Sequence, residues 1–101
     1  MTRHIDTAKQ IEIANTINET AVALTGSEKQ VSWANAIRFA AIQTLEVTYA
    51  ETVEESTDEA MKSTIRATID GAYRIDNAKW WIDNVRGAEK NARMIFAALT
   101  K

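Results

Sequence analysis

Four cations near the C-terminus stand out by type and spacing: Lys79, Arg86, Lys90 and Arg93. On one continuous helix they fall within about 60° of one another, opposite the apolar seam. Such a stripe suits nucleic-acid phosphates or an acidic protein surface. Residues 62–101 carry eight bases against four acids. The opposite charge collects upstream, where Glu51, Glu54, Glu55 and Asp58 follow one another with no base between them. That acidic pole suits a basic partner or mimicry of phosphates. It lacks the ligand spacing of a calcium loop, so no metal is expected there. The plainer reading of both runs is a solvated face, routine for charged helix surfaces. A formal net charge of −2 weighs further against nucleic acid.

Catalytic chemistry finds little to work with. Ser27, Ser32, Ser56 and Ser63 have no histidine nearby in sequence, and the one histidine is His4. There are no cysteines, which excludes disulfides, zinc ribbons and thiol chemistry. Three glycines, scattered at Gly26, Gly71 and Gly87, make no phosphate-cradling loop. The chain is expected to be a binding protein rather than an enzyme, with no cofactor.

The tryptophans are the remaining residues of functional interest. Trp80 and Trp81 are adjacent, so on a helix they point about 100° apart. Trp81 falls on an apolar seam and belongs in the core. Trp80 then lies on the flank, half exposed, where it could anchor a partner or pack at the core edge. Trp33 is expected in the core.

The elements that must position these residues all read at helical period, and no stretch alternates cleanly at period two. Seventeen alanines and no proline agree with this. A first helix is predicted from about Asp6 to Leu24 on a stripe of Ile13, Ile17, Ala21 and Leu24. Thr7 and Gln10 form a capping-box pattern there, and Gly26 is placed as its C-terminal stop. A second runs from Ser27, again with a capping-box partner at Gln30, to about Glu54. Its two apolar stripes call for neighbours on two sides, so it is placed centrally. A break is anticipated near Thr48–Thr52, where β-branched residues cluster. A third helix begins at Ser56 or Thr57, with Ser56 and Glu59 as a capping box, and runs to Ile75. Gly71 interrupts its apolar face, either at a cost in helix stability or to let a neighbour approach closely. A fourth runs from Asp76 or Asn77 to Leu99. There Trp81, Val85, Ala88, Ala92, Ile95 and Leu99 step by 4, 3, 4, 3 and 4, a heptad seam that holds through Gly87. Arg38 falls among the apolar residues of the second helix and needs a partner if buried. Asp83 is the expected one, bridging helices two and four.

With 101 residues, 46% of them hydrophobic and 26% charged, the chain is expected to form one all-α domain over 1–101, a four-helix bundle or compact four-helix array. No window is long and apolar enough to span a membrane. The opening Met1-Thr2-Arg3-His4-Ile5-Asp6 has no apolar core of a secretory leader. A cytoplasmic location is therefore expected.

Two segments carry a resemblance. Residues 26–38, from Gly26-Ser27-Glu28-Lys29-Gln30 through Trp33-Ala34 to Ile37-Arg38, resemble a GS-x-KQ-x-x-WA-x-x-IR signature. Ala78-Lys79-Trp80-Trp81-Ile82-Asp83-Asn84 followed by Arg86 resembles an AK-[FW]-WIDNR signature, with Val85 as one residue more than the pattern. Together they are similar to small all-α proteins of phages and mobile elements, mostly from Gram-positive bacteria, over about a fifth of the chain. No activity comes with the resemblance. It implies a phage or mobile-element accessory protein, acting in the cytoplasm of a bacterial host cell, which would dock on a host or phage protein. Inhibition of a host defence system, as by an anti-CRISPR protein, is one such role. The alternative is a small nucleic-acid-binding protein using the stripe at Lys79, Arg86, Lys90 and Arg93. A third reading is a homodimer or larger self-assembly pairing the heptad seam between chains.

Overall fold

In the computed structural model, which describes residues 4–101, the chain is helical throughout, and each helix starts where a short polar side chain can satisfy the backbone N–H groups of its first turn. Met1-Thr2-Arg3, which entered the reading against a secretory leader, lie outside the described residues. Asp6 caps α1 (Thr7–Thr20), accepting from the Lys9 N–H at 2.8 Å. Ser27 caps α2 (Glu28–Thr48) in a full capping box. Its Oγ accepts from the Gln30 N–H at 3.2 Å, and Gln30 Oε1 accepts from the Ser27 N–H at 3.1 Å. Asp58 caps α3 (Glu59–Ala72), Asn77 caps α4 (Ala78–Val85) and Asn91 caps α5 (Ala92–Leu99).

The all-α reading stands, and the helix count is corrected: five α-helices, not four, among the described residues. The predicted fourth helix is two. Gly87 takes φ +86°, a left-handed conformation that ends α4, and Asn91 starts α5 four residues later. The seam survives the break because the turn keeps its phase. Trp81, Val85, Ala88 and Ile95 are all buried in the chain's own core, and Ala92 and Leu99 pack against it.

The anticipated disturbance near Thr48 is a widening rather than a break. The helix passes into a π-helical turn over Tyr49–Val53, with the Glu54 N–H donating to the Tyr49 carbonyl at 2.9 Å.

Two further expectations are corrected. α1 stops at Thr20, short of Leu24, because the chain is drawn off to another loop. Val22 N–H donates to the Tyr73 carbonyl at 3.0 Å, Thr25 N–H to the Asp76 carbonyl at 2.7 Å, and Ala78 N–H to the Thr25 carbonyl at 3.0 Å. Gly26 serves this stitch rather than the end of α1. A Cβ there would come within 3.2 Å of Ala78 Cβ, and its φ is +147°. Gly71, by contrast, has open space around the place a Cβ would occupy, so close approach is not its reason.

α2 is central, as its two stripes require, and touches α1, α3, α4 and α5. Around it lies one contiguous buried cluster in which Trp81, Ile42, Leu45, Ile69, Ile95 and Val85 are the largest fully buried side chains. Trp81 satisfies its indole N–H on the Ile75 carbonyl at 3.0 Å. No helix among the described residues is long and apolar enough to cross a membrane.

Candidate functional site

The predicted basic stripe does not stay together. The bend at Gly87 changes the direction of the chain between α4 and α5, so positions that share a face on one helix are dealt to three places. Lys79, in the first turn of α4, pairs with Asp83 one turn on. Arg93, at the start of α5, lines an apolar groove of about 230 Å³ with Tyr49, Val53, Ile65 and Phe96. Arg86 and Lys90 both lie on the α4–α5 turn.

There they meet a residue that sequence reasoning assigned to the core. Trp33 is 47% exposed, a correction to its expected burial. Its ring lies under the Arg86 guanidinium, 5.2 Å from the carbon to the ring centroid. Among the described residues Arg86 makes no ion pair. Trp33, Ala36, Ile37 and Ala40 run along one side of α2 at spacings of three, one and three, an apolar stripe ending at the indole. With Gly87, Glu89 and Lys90 opposite, they line an open hollow of about 400 Å³. The turn is held in place twice. Glu89 Oε1 accepts from the Gly87 N–H at 2.9 Å, and the Thr44 hydroxyl donates to the Glu89 carbonyl at 2.6 Å. The result is an exposed aromatic ring with apolar residues beside it and two cations on the neighbouring turn.

Trp80, the anchor suggested by sequence, is half-buried. It packs its ring at 85° to that of Trp81, centroids 5.1 Å apart, and so supports the core edge. Trp81 is fully buried, as expected.

The expected Arg38–Asp83 bridge is not formed. Asp83 is taken by Lys79. Arg38 is buried at 8% exposure and donates from Nη1 to the Val22 carbonyl and from Nη2 to Asn35 Oδ1 at 3.3 Å. Burial without a neighbouring carboxylate lowers its pKa from the usual arginine value.

The acidic pole is likewise distributed. Asp58 is a cap, its Oδ1 accepting from the Met61 N–H at 3.0 Å. Glu51 lies 3.8 Å from His4 Nδ1, and Glu54 lines a recess with His4, Asp6 and Lys9. Glu55 is exposed and engaged in an interaction of its own.

A second polar constellation escaped the sequence reading. Glu46, on the inner side of α2, takes both Arg66 Nη atoms, at 2.7 and 2.9 Å, and the Tyr73 hydroxyl at 2.7 Å. Arg66 also donates from Nε to Asp70 at 3.0 Å and stands over the Tyr49 ring at 5.1 Å. The Glu46 hydrogen bonds raise the Arg66 pKa further above its usual value. Burial first, and then the hydrogen bond to Glu46, pushes the Tyr73 hydroxyl up. Only the Arg66–Asp70 spacing of four was a signal. Glu46 is 20 residues from Arg66, a separation that no local rule reads.

Fold and site together define an all-α protein with an exposed aromatic and cationic face. Comparison with protein-family models, with curated proteins and with solved structures finds no significant match to the chain.

Proposed function

We propose that the chain is a non-enzymatic binding protein that docks the Trp33 face onto an acidic patch of another protein. The observation that carries this reading is Trp33 itself, an indole 47% exposed that lies beneath Arg86 and lines a hollow with Lys90. Tryptophan and arginine are among the residue types that most often dominate binding energy. The two cations select for a partner of opposite charge. The carboxylates that could have served chemistry have structural duties instead: Glu46 in the Arg66 cluster, Asp6 and Asp58 as caps, Asp83 with Lys79. In the mobile-element setting implied by the resemblance, the partner is a host or phage protein met in the bacterial cytoplasm. A component of a host defence system is the version with the clearest biological use.

The alternative is nucleic acid. An exposed indole with neighbouring cations also suits stacking on a single-stranded base. The dispersal of the predicted stripe and the net charge of −2 favour protein.

The test is affinity capture from a bacterial host lysate with the full chain, with and without nuclease. A protein partner held through nuclease treatment is expected, with capture falling at least about tenfold for Trp33→Ala and for Lys90→Glu. Equal capture by these variants and wild type overturns the proposal. Capture abolished by nuclease replaces it with the nucleic-acid reading.

A further inference from the structure

On the other side of α2 from Trp33 lies a recess of about 230 Å³ between α1 and α2, lined by Ile17, Asn18, Ala21, Asn35, Arg38 and Phe39. Its polar wall is unusual in composition. Arg38 carries a full charge at 8% exposure, yet its hydrogen-bond acceptors are both neutral, the Val22 carbonyl and Asn35 Oδ1. Among the described residues it makes no ion pair. A buried cation normally has a counter-charge, because neutral oxygens replace only part of the lost hydration.

The geometry also fixes what the recess offers. Asn35 uses its oxygen on Arg38, so its two amide N–H groups are left as donors. Asn18, across the recess on α1, adds a second amide. Guanidinium and amides together present donors to an anion, and Ile17, Ala21 and Phe39 present hydrocarbon.

We propose that this recess binds a carboxylate on a short apolar stem, with the carboxylate on Arg38, Asn18 and Asn35 and the stem against Ile17, Ala21 and Phe39. A carboxylate fits better than a phosphate. One guanidinium neutralises one carboxylate and matches its planar pair of oxygens, whereas a phosphate dianion would keep a charge among neutral amides. The volume is below that of drug-sized ligand sites, which suits a small acid or a single side chain. The lowered pKa of Arg38 agrees with a guanidinium that lacks a carboxylate in the free protein. The same chemistry is offered by a free short-chain acid and by a glutamate side chain on a peptide.

The full chain, labelled with ¹⁵N, is titrated with sodium propionate, with N-acetyl-glutamate N-methylamide, and with sodium chloride at matched ionic strength. Saturable shifts of the Asn18 and Asn35 side-chain amides and of the Arg38 Nε–H are expected with one or both carboxylates and not with chloride. Saturation by propionate alone assigns a free acid, and saturation by the glutamate derivative assigns a side chain. Affinity is expected to fall at least about tenfold in Arg38→Lys, which keeps the charge and loses the planar fork. Asn18→Ala removes one donor from an exposed position of α1, leaves the fold intact and is expected to weaken binding as well. Shifts that do not saturate, that chloride reproduces, or that Asn18→Ala and Arg38→Lys both leave unchanged overturn the proposal.

Discussion

The molecule places an arginine over an aromatic ring twice, and the two contacts are nearly the same length: Arg66 on Tyr49 at 5.1 Å and Arg86 on Trp33 at 5.2 Å. Their surroundings differ. Arg66 is closed in by Glu46, Asp70 and the Tyr73 hydroxyl that shares Glu46, so the donors and acceptors answer one another within the chain. Arg86 has the ring, a turn held by Glu89 and Thr44, and solvent beyond. The first contact ties α3 to the π-helical turn after α2, beside the Glu46–Arg66 pair that joins α2 to α3, and belongs to stability. The second leaves its capacity for polar contact open, and it is the contact that the proposed function assigns to recognition. In that reading the same pair of residue types carries different functions according to whether a carboxylate completes it.

The largest effect is expected where the closed cluster loses its centre. Glu46 is only 12% exposed at its side chain. Glu46→Ala leaves the Arg66 charge without its bidentate partner and the Tyr73 hydroxyl without an acceptor. The cost should be about 2–3 kcal/mol, below the range for fully buried pairs because Arg66 is a third exposed. Urea denaturation measures it. A loss no greater than that of an ordinary surface substitution would place Glu46 among exposed salt bridges and remove the contrast between the two regions.

A smaller effect follows at the hinge of the open face. Gly87 sits at φ +86°, and its missing Cβ would meet no neighbour within 4 Å. The penalty for Gly87→Ala is thus purely conformational, about 1–2 kcal/mol. The variant should also shift the Trp33 indole N–H resonance in the ¹H–¹⁵N spectrum, because the turn that sets Arg86 over the indole is the segment the added Cβ strains. An unchanged resonance with lowered stability would mean that Arg86 finds the ring without help from the turn.

Tyr73→Phe tests the closed cluster by its pH dependence. It removes one hydrogen bond to Glu46 and should cost about 1 kcal/mol near neutral pH. The sign at alkaline pH follows from the raised pKa of the folded state. Above pH 10 the unfolded chain releases the phenolic proton while the folded chain retains it. Stability from this group is therefore present below pH 10 and falls above it, at up to about 1.4 kcal/mol per pH unit. Wild type should lose stability between pH 10 and 11 more steeply than Tyr73→Phe, read by chemical denaturation at each pH. Parallel losses would show that Tyr73 ionises as it does in the unfolded chain.

These regions also differ in how far the sequence reveals them. Local rules read part of what is local, since the Thr7–Gln10 and Ser56–Glu59 capping boxes are not formed and Asp6 and Asp58 cap those helices instead. The Ser27–Gln30 capping box, the Asn77 cap and the disturbance near Thr48 are properties of a few neighbouring residues. The split at Gly87 is harder, because hydrophobic phase is conserved across the turn and a heptad seam looks the same whole or broken. Asn91, a capping type just ahead of an apolar run, was the available signal. Trp33 was misread for a related reason. α2 has two apolar stripes, but the partner that would cover the second ends in a turn of small and charged residues, and nothing in α2 itself records how far its neighbours reach. The Arg38 error was one of partner type. The need for a partner was legible, and Asn35, one turn earlier on the same helix, was the nearer acceptor. Glu46 and Arg66 meet only through the packing of α2 on α3, so their pairing is a consequence of the fold and invisible before it.

The smallest effect on stability is expected at Trp33, and its size decides the comparison. A tryptophan in a core is worth several kcal/mol, and Phe or Trp to Ala there costs about 3–5 kcal/mol. Trp33 is nearly half exposed, and its contact with Arg86 is a surface cation–π pair of about 0.5–1 kcal/mol. Trp33→Ala should therefore lower stability by about 1 kcal/mol, well below the cost of truncating a buried ring, since nearly half of the indole stays in solvent in the folded chain. Arg86→Ala should remove most of the same increment, and the double variant should fall short of the sum, because both single changes delete one shared contact. The pair is measured by a denaturation cycle of four proteins. A loss of 3 kcal/mol or more at Trp33, a value typical of buried ring truncation, would make the indole a core residue after all. A loss near or below 1 kcal/mol, with partner capture abolished, separates recognition from folding at a single side chain.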